Sequence, residues 1–194
     1  VCHQFHLALQ SGSDTVLARM HRRYTSGEFL NACAMLREAF EDCALTTDVM
    51  TGFPGEGEAE FVELCQFIQD VKFERLGCFA FSPEEGTVAA SLPGQIEEEE
   101  KQRRRDIVME EQTRISDAYN QAQVGKTIPV LVESYDRYAE CWFGRSEGDA
   151  PDIDGKVFFS CPRGAVQPGR LVQVNITDAM DWDLMGEYVD ESAQ

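Results

Sequence analysis

One change of rhythm constrains this chain more than any other feature. Across residues 1–94 short apolar runs alternate with amphipathic stretches, whereas from Thr127 onward only short alternating segments remain, separated by Gly, Pro and Asp. Side chains repeat every 3.6 residues around a helix and every 2 along a strand, so the two stretches call for different architectures. In the first, Phe5 to Leu9 predicts a strand, and Ser11-Gly12-Ser13-Asp14 supplies a turn and an N-cap for a helix carrying Val16, Leu17 and Met20. A second helix carries Leu30, Cys33, Ala34, Leu36, Phe40 and Cys43 on one face. Thr46 to Gly52 predicts a strand that enters the turn Gly52-Phe53-Pro54-Gly55. Phe61, Leu64, Cys65, Ile68 and Val71 mark a third helix, and Leu76 to Phe81 a third strand. Strands alternating with helices over short connections imply a parallel sheet with right-handed crossovers, as in a barrel or a doubly wound fold.

Residues 95–123 predict one long polar helix. Glu97 and Lys101, Glu99 and Arg103, and Glu100 and Arg104 are spaced for i,i+4 pairs, and the acidic start suits the positive end of the helix dipole. A thin apolar stripe runs through Ile107, Val108, Ile115, Tyr119 and Ala122, and Gly125 is a natural stop. The Glu run reads as a solvated face, with Arg103, Arg104 and Arg105 surrounded by acid. Beyond it, Ile128 to Val132, Ala139 to Phe143, Val157 to Ser160, Leu171 to Ile176 and Leu184 to Val189 predict five short strands. Five such strands suit a small antiparallel barrel of OB type, whose closure removes exposed edges.

Charge excludes some partners. The chain carries 17 basic and 35 acidic side chains, a formal net charge of −18. The imbalance is shared, with 11 basic and 22 acidic residues up to residue 123 and 6 and 13 after it. Such a surface repels DNA and RNA phosphates and attracts a basic polypeptide. No run of 18 apolar residues is present, so no membrane-spanning helix is expected. Three strands cannot close a barrel, and the chain opens Val-Cys-His-Gln-Phe with neither Met nor a signal-like segment, so it is expected to begin inside a larger protein.

Seven cysteines (Cys2, Cys33, Cys43, Cys65, Cys78, Cys141 and Cys161) lie too far apart for a zinc or iron–sulfur motif. Most are expected to be reduced, buried and small-apolar in character, as in a cytoplasmic protein. His3, His6 and His21 lack metal-ligand spacing. Three polar positions stand where strands and their helices end: Gln10, Arg22 and Asp48. Ligands gather at the C-terminal ends of parallel strands, where an amide, a guanidinium and a carboxylate are equipped to hold an amino-acid end and a ribose. The same residues also read as a surface Arg and a turn-forming Asp. Gly52-Phe53-Pro54-Gly55-Glu56 reads first as a tight strand-to-helix turn.

These stretches carry a resemblance. Gln10-Ser11-Gly12-Ser13-Asp14, Met20-x-Arg22-x-Tyr24-Thr25, Asp48-x-x-x-Gly52-Phe53-Pro54-Gly55-Glu56 and Phe81-Ser82-Pro83-Glu84-Glu85-Gly86-Thr87 together resemble the radical S-adenosylmethionine methylthiotransferases. Gly144-Arg145-Ser146 with Ala150-Pro151-Asp152-Ile153-Asp154-Gly155, and Ile176-Thr177-Asp178-Ala179 with Trp182-Asp183-Leu184-Met185-Gly186, are similar to the branch that modifies an aspartate of small-subunit ribosomal protein S-twelve. The resemblance implies an α/β plus all-β chain. Residues 1–94 would be the C-terminal half of a TIM-like radical SAM barrel, 95–123 a connecting helix, 124–189 a five-stranded OB-like TRAM barrel and 190–194 a tail.

It further implies that Gln10, Arg22 and Asp48 bind S-adenosylmethionine, with Arg22 toward the methionine carboxylate and Asp48 toward the ribose. Two 4Fe-4S clusters are implied for the full-length enzyme. The Cys-x-x-x-Cys-x-x-Cys motif that holds one of them, and the cysteines of the other, are not in these residues, so this stretch alone would carry no catalytic or metal-ligating residue. The partner implied is a basic ribosomal protein of the small subunit in the cytoplasm, rather than DNA or a membrane. Two alternatives stand beside that reading. One is methylthiolation of a tRNA adenosine, since the Gln10 to Asp14 stretch is also similar to the tRNA-modifying branch. The other is a non-enzymatic module whose acidic barrel, with Asp149, Asp152 and Asp154 in one loop, docks a basic protein.

Overall fold

A run of β-branched and apolar residues, Ala44–Thr51 (β2), forms the middle strand of a three-stranded sheet, flanked by Gln4–His6 (β1) and Arg75–Ala80 (β3). The computed structural model describes residues 2–162 and 164–190. Two compact units divide the chain, one of Phe5–Arg114 and one built from Ile115 onward together with the first few residues. In the first unit β2 and β3 run parallel, in register from Thr46 opposite Arg75 to Thr51 opposite Ala80. One face of β2 carries Leu45, Thr47, Val49 and Thr51, all buried, and the helices of this unit before residue 75 are Asp14–Arg19 (α1), Ser26–Ala39 (α2) and Glu58–Val71 (α3). Helix α3 presents Phe61, Leu64, Ile68 and Val71 at the 3.6-residue period, and full burial of one such side chain is worth about 1.5–3 kcal/mol.

The first strand is shorter than the predicted Phe5 to Leu9. Thr47 is the reason, because its hydroxyl donates to Leu7 O at 2.6 Å and accepts from Leu9 N at 3.0 Å, replacing ladder bonds with side-chain bonds. Pairing returns at a single bridge between Gln10 and Val49. Ser13 stands at the N-cap of α1 as predicted, yet its hydroxyl makes no capping bond. Helix α2 is closed by a Thr25–Glu28 capping box, and it ends at Ala39, so Phe40 and Cys43 lie beyond it.

Glu98–Gln121 (α4) is one unbroken helix, and its buried stripe differs from the predicted apolar one. Lys101, Arg104, Val108, Gln112, Ser116 and Asn120 are buried, while Ile107 is exposed. Only Glu100–Arg104 forms among the three i,i+4 pairs read from sequence. Glu98–Lys101 and Glu100–Arg103 form at i,i+3 instead. The glutamates are solvated as expected, but two of the cations among them are not.

In the second unit Thr127–Asp136 (β4), Cys141–Arg145 (β5), Val157–Ser160 (β6), Leu171–Met180 (β7) and Asp183–Val189 (β8) close in the order β4-β5-β6-β8-β7. Val130, Val132, Val157, Phe159, Val174, Ile176 and Leu184 fill it. The barrel is not wholly antiparallel, because β6 and β8 pair in parallel. An odd ring cannot alternate direction at every step, so closure of five strands demands at least one parallel pair.

Candidate ligand-binding site

Gln10 and Asp48 are brought together by backbone. Gln10 N donates to Asp48 O at 2.9 Å and Met50 N to Gln10 O at 2.8 Å, which pins Gln10 beside β2 near its C-terminal end. Gln10 holds φ at +68°, a left-handed conformation that costs a non-glycine residue about 1 kcal/mol and turns the chain from strand toward α1. Asp48 sits opposite Gly77 on β3, and a Cβ there would come within 2.6 Å of Asp48 Oδ1. Only glycine leaves that carboxylate its place over the sheet. His6, silent in sequence reading, lies with Nδ1 3.0 Å from Thr46 Oγ1 and Nε2 3.6 Å from Asp48 Oδ2. The second distance exceeds a hydrogen bond, so Asp48 keeps acceptor capacity on a half-exposed side chain.

Arg22 arrives differently. Helix α1 ends in a Schellman turn in which His21, at φ +56°, donates to Ala18 O at 3.1 Å and Arg22 N to Leu17 O at 2.9 Å. Two residues on, the Tyr24 hydroxyl lies 2.7 Å from Ala8 O and 2.9 Å from Leu9 O, tying the strap to the residues before Gln10. Arg22 is exposed, and among the described residues its guanidinium makes no hydrogen bond or ion pair, with Gln10 and Asp48 or otherwise. A free guanidinium of this kind takes a carboxylate through two parallel bonds.

The turn after β2 does more than change direction. Gly52, at φ +75°, packs against the Lys101 stem, and its N–H donates to Glu56 Oε1 at 2.8 Å. Arg104 Nη1 donates to the same oxygen at 3.0 Å and to Glu56 O at 2.8 Å, while its Nε donates to Glu100 at 2.7 Å. The Glu56 side chain is wholly buried, and among the described residues its Oε2 finds no hydrogen-bond partner. Burial pushes the Glu56 carboxyl above its ordinary range, against the pull of the Gly52 N–H and Arg104. From the other side Arg19, the last residue of α1, donates to Pro54 O at 3.3 Å. Sequence reading treated this turn as local. Its one usable signal was an acidic residue in an otherwise small and apolar turn.

The described residues do not fit an iron–sulfur cluster. They contain no group of three or more His, Cys, Asp or Glu arranged for a metal. All seven cysteines are free, and only Cys33, Cys43 and Cys78 are buried. Cys65, Cys141 and Cys161 are half-buried and Cys2 is exposed, so burial is less general than expected. Burial holds the Cys78 thiol protonated, pushed up to about 12, whereas a ligand must be a thiolate. A groove bordered by Gly12, Asp14, Ser26, Glu63 and Phe67 includes none of Gln10, Arg22 or Asp48.

On the barrel, Phe143 and Phe158 stand opposite one another on β5 and β6, ring centroids 5.9 Å apart, with Lys156 Nζ 4.4 Å from the Phe143 centroid. Arg145 is neutralised by Glu133 at 3.0 Å. In the β5–β6 loop Asp149 accepts from Ser146 and Asp154 from the Ala150 N–H, so these acids shape the loop, while Asp152 is exposed. Among the described residues, a single lysine beside this aromatic pair does not make a cationic trough for a polyanion.

Residues 1–68 match the radical SAM superfamily and residues 124–189 the TRAM domain. Among curated proteins the chain is 42% identical over 99% of its length to the ribosomal protein uS12 methylthiotransferase RimO of Syntrophotalea carbinolica. It is 46% identical over 97% of its length to that of Desulfitobacterium hafniense, and 40% identical over its whole length to that of Clostridioides difficile. Along almost its whole length the chain is thus similar to ribosomal protein uS12 methylthiotransferases. It spans 42–43% of the length of these three relatives. Among the described residues no helix is long and apolar enough to cross a membrane.

Proposed function

We propose that this chain is the S-adenosylmethionine-holding and substrate-facing part of a cytoplasmic enzyme that adds a methylthio group to the β-carbon of an aspartate in ribosomal protein uS12. The observation that carries the reading is identity of 40–46% to uS12 methylthiotransferases through both units, including the barrel. A tRNA substrate is the weaker reading, because the barrel is acidic and, among the described residues, its aromatic pair has a single lysine beside it.

Within this reading Arg22 takes the methionine carboxylate, Asp48 accepts from the ribose hydroxyls, and the Gln10 amide completes the set. Each group is suited to its task by its surroundings. Arg22 is unpaired, Asp48 has clearance over Gly77, and Gln10 is locked to the Asp48 strand by two backbone bonds. One-electron chemistry belongs to a 4Fe-4S cluster, for which the described residues offer no ligand set, and no step is assigned to them beyond binding and orientation.

The test is S-adenosylmethionine binding by equilibrium dialysis on the full-length protein. Arg22→Ala is expected to weaken binding by about a hundredfold, the worth of a lost charge-assisted pair of roughly 2–3 kcal/mol. Unchanged affinity overturns the site. Modification of tRNA but not uS12 by the same protein overturns the substrate.

A further inference from the structure

We propose that Glu56 and Arg104 are positioning residues that hold the two separate pieces of the S-adenosylmethionine site in one frame. The inference rests on the site reading above and concerns what keeps that site assembled. Gln10 and Asp48 belong to the sheet, while Arg22 hangs from the exit of α1, and no direct bond joins Arg22 to either. The turn from Gly52 to Glu56 is bonded to both pieces. At one end Gly52 continues β2, four residues beyond Asp48. At the other, Pro54 O accepts from Arg19, three residues before Arg22.

The turn itself is too rich in glycine to hold its shape unaided. Gly52 and Gly55 take φ of +75° and +84°, so the local backbone offers many alternatives of similar energy. Three contacts remove that freedom. Glu56 Oε1 captures the Gly52 N–H at 2.8 Å, closing the turn on itself. Arg104 then fixes Glu56 through both its carboxylate, at 3.0 Å, and its backbone carbonyl, at 2.8 Å. Gly94 O accepts from Gly55 N at 2.8 Å. Arg104 is itself held by Glu100 at 2.7 Å and lies over the Phe61 ring of α3 at 5.2 Å. A buried ion pair retained in a turn of this kind is an uneconomical way to gain stability but an effective way to specify one geometry.

The experiment compares three variants of the full-length protein by equilibrium dialysis with S-adenosylmethionine, with thermal unfolding measured alongside. Glu56→Gln keeps an acceptor for Gly52 and loses the charge that fixes Arg104. The double variant Glu56→Gln/Arg104→Met removes both buried charges, so it folds even where a lone charge would not. Both are expected to raise the dissociation constant about tenfold with an unfolding midpoint within a few degrees of the parent. A purely structural role would move the midpoint and leave affinity alone. Arg22→Ala serves as the control. If it weakens binding while both Glu56 variants bind within twofold of the parent, the positioning role is overturned and the site stands. If Arg22→Ala binds normally, the site reading fails first.

Discussion

Helices α3 and α4 lie in the same sequence neighbourhood and bury their faces by opposite means. The inward stripe of α3 is Phe61, Leu64, Ile68 and Val71, whereas that of α4 is Lys101, Arg104, Val108, Gln112, Ser116 and Asn120. Burial of the first stripe needs nothing but apolar area, and any well-shaped hydrophobic surface suffices. Burial of the polar members of the second needs a specific partner for each. Arg104 has Glu56 and Glu100, Gln112 Nε2 donates to Phe73 O at 2.9 Å, and Asn120 Nδ2 donates to Asp181 O at 3.0 Å. An apolar face tolerates sliding, but a polar face with assigned partners admits one register. The difference explains why the helix whose partners surround the Gly52 turn is the polar one.

The contrast breaks most sharply at Arg104. Arg104→Met leaves the buried Glu56 carboxylate without its cation and is expected to cost about 4 kcal/mol in denaturant unfolding, most of it recovered by adding Glu56→Gln. A loss below about 1 kcal/mol for Arg104→Met would show that this face packs like an ordinary apolar one. Leu64→Ala in α3, at a residue with no solvent exposure, should cost about 3 kcal/mol, with no second-site partner able to restore it. Recovery by a single polar change elsewhere would erase the distinction between the two helices.

The smallest effect sharpens the comparison at its exposed edge. Hydrogen bonds from Arg103 and then Arg104 hold the Glu100 carboxyl down at about 2. A carboxylate whose folded value is depressed contributes stability that is present above its unfolded value of 4.5 and is lost as pH falls toward 2. Glu100→Gln should flatten the stability profile between those two pH values, and salt should shrink the effect because Glu100 is partly solvated. A profile identical to the parent would mean that Glu100 adds nothing to the hold on Arg104.

Much of the architecture was legible beforehand. Alternating apolar runs marked β2, β3 and α3, and β6 coincided with its predicted span, because these elements bury apolar faces at the period their backbones impose. The shortening of β1 was not legible, since it depends on the Thr47 hydroxyl bonding residues about 40 positions away. Gln10 and Asp48 were named from their places at strand ends, but the backbone bonds joining them, the clearance over Gly77 and the neighbouring His6 belong to residues far apart in the chain. Arg103, Arg104 and Arg105 read as one cluster. Only Arg104 is buried, and nothing in its immediate neighbours separates it from the other two.

Local order alone determined which stretches form strands and which form helices, the division into an α/β stretch and a small barrel, and the acidity of both. Those properties depend on nearest neighbours and on composition, which a linear string contains in full. Tertiary structure decided which charges leave water, the parallel β6–β8 pair, and the tie from the Gly52 turn to Arg19 at the end of α1. Each of these is a pairing across long sequence separation, settled by which partner the closed fold places within hydrogen-bonding reach.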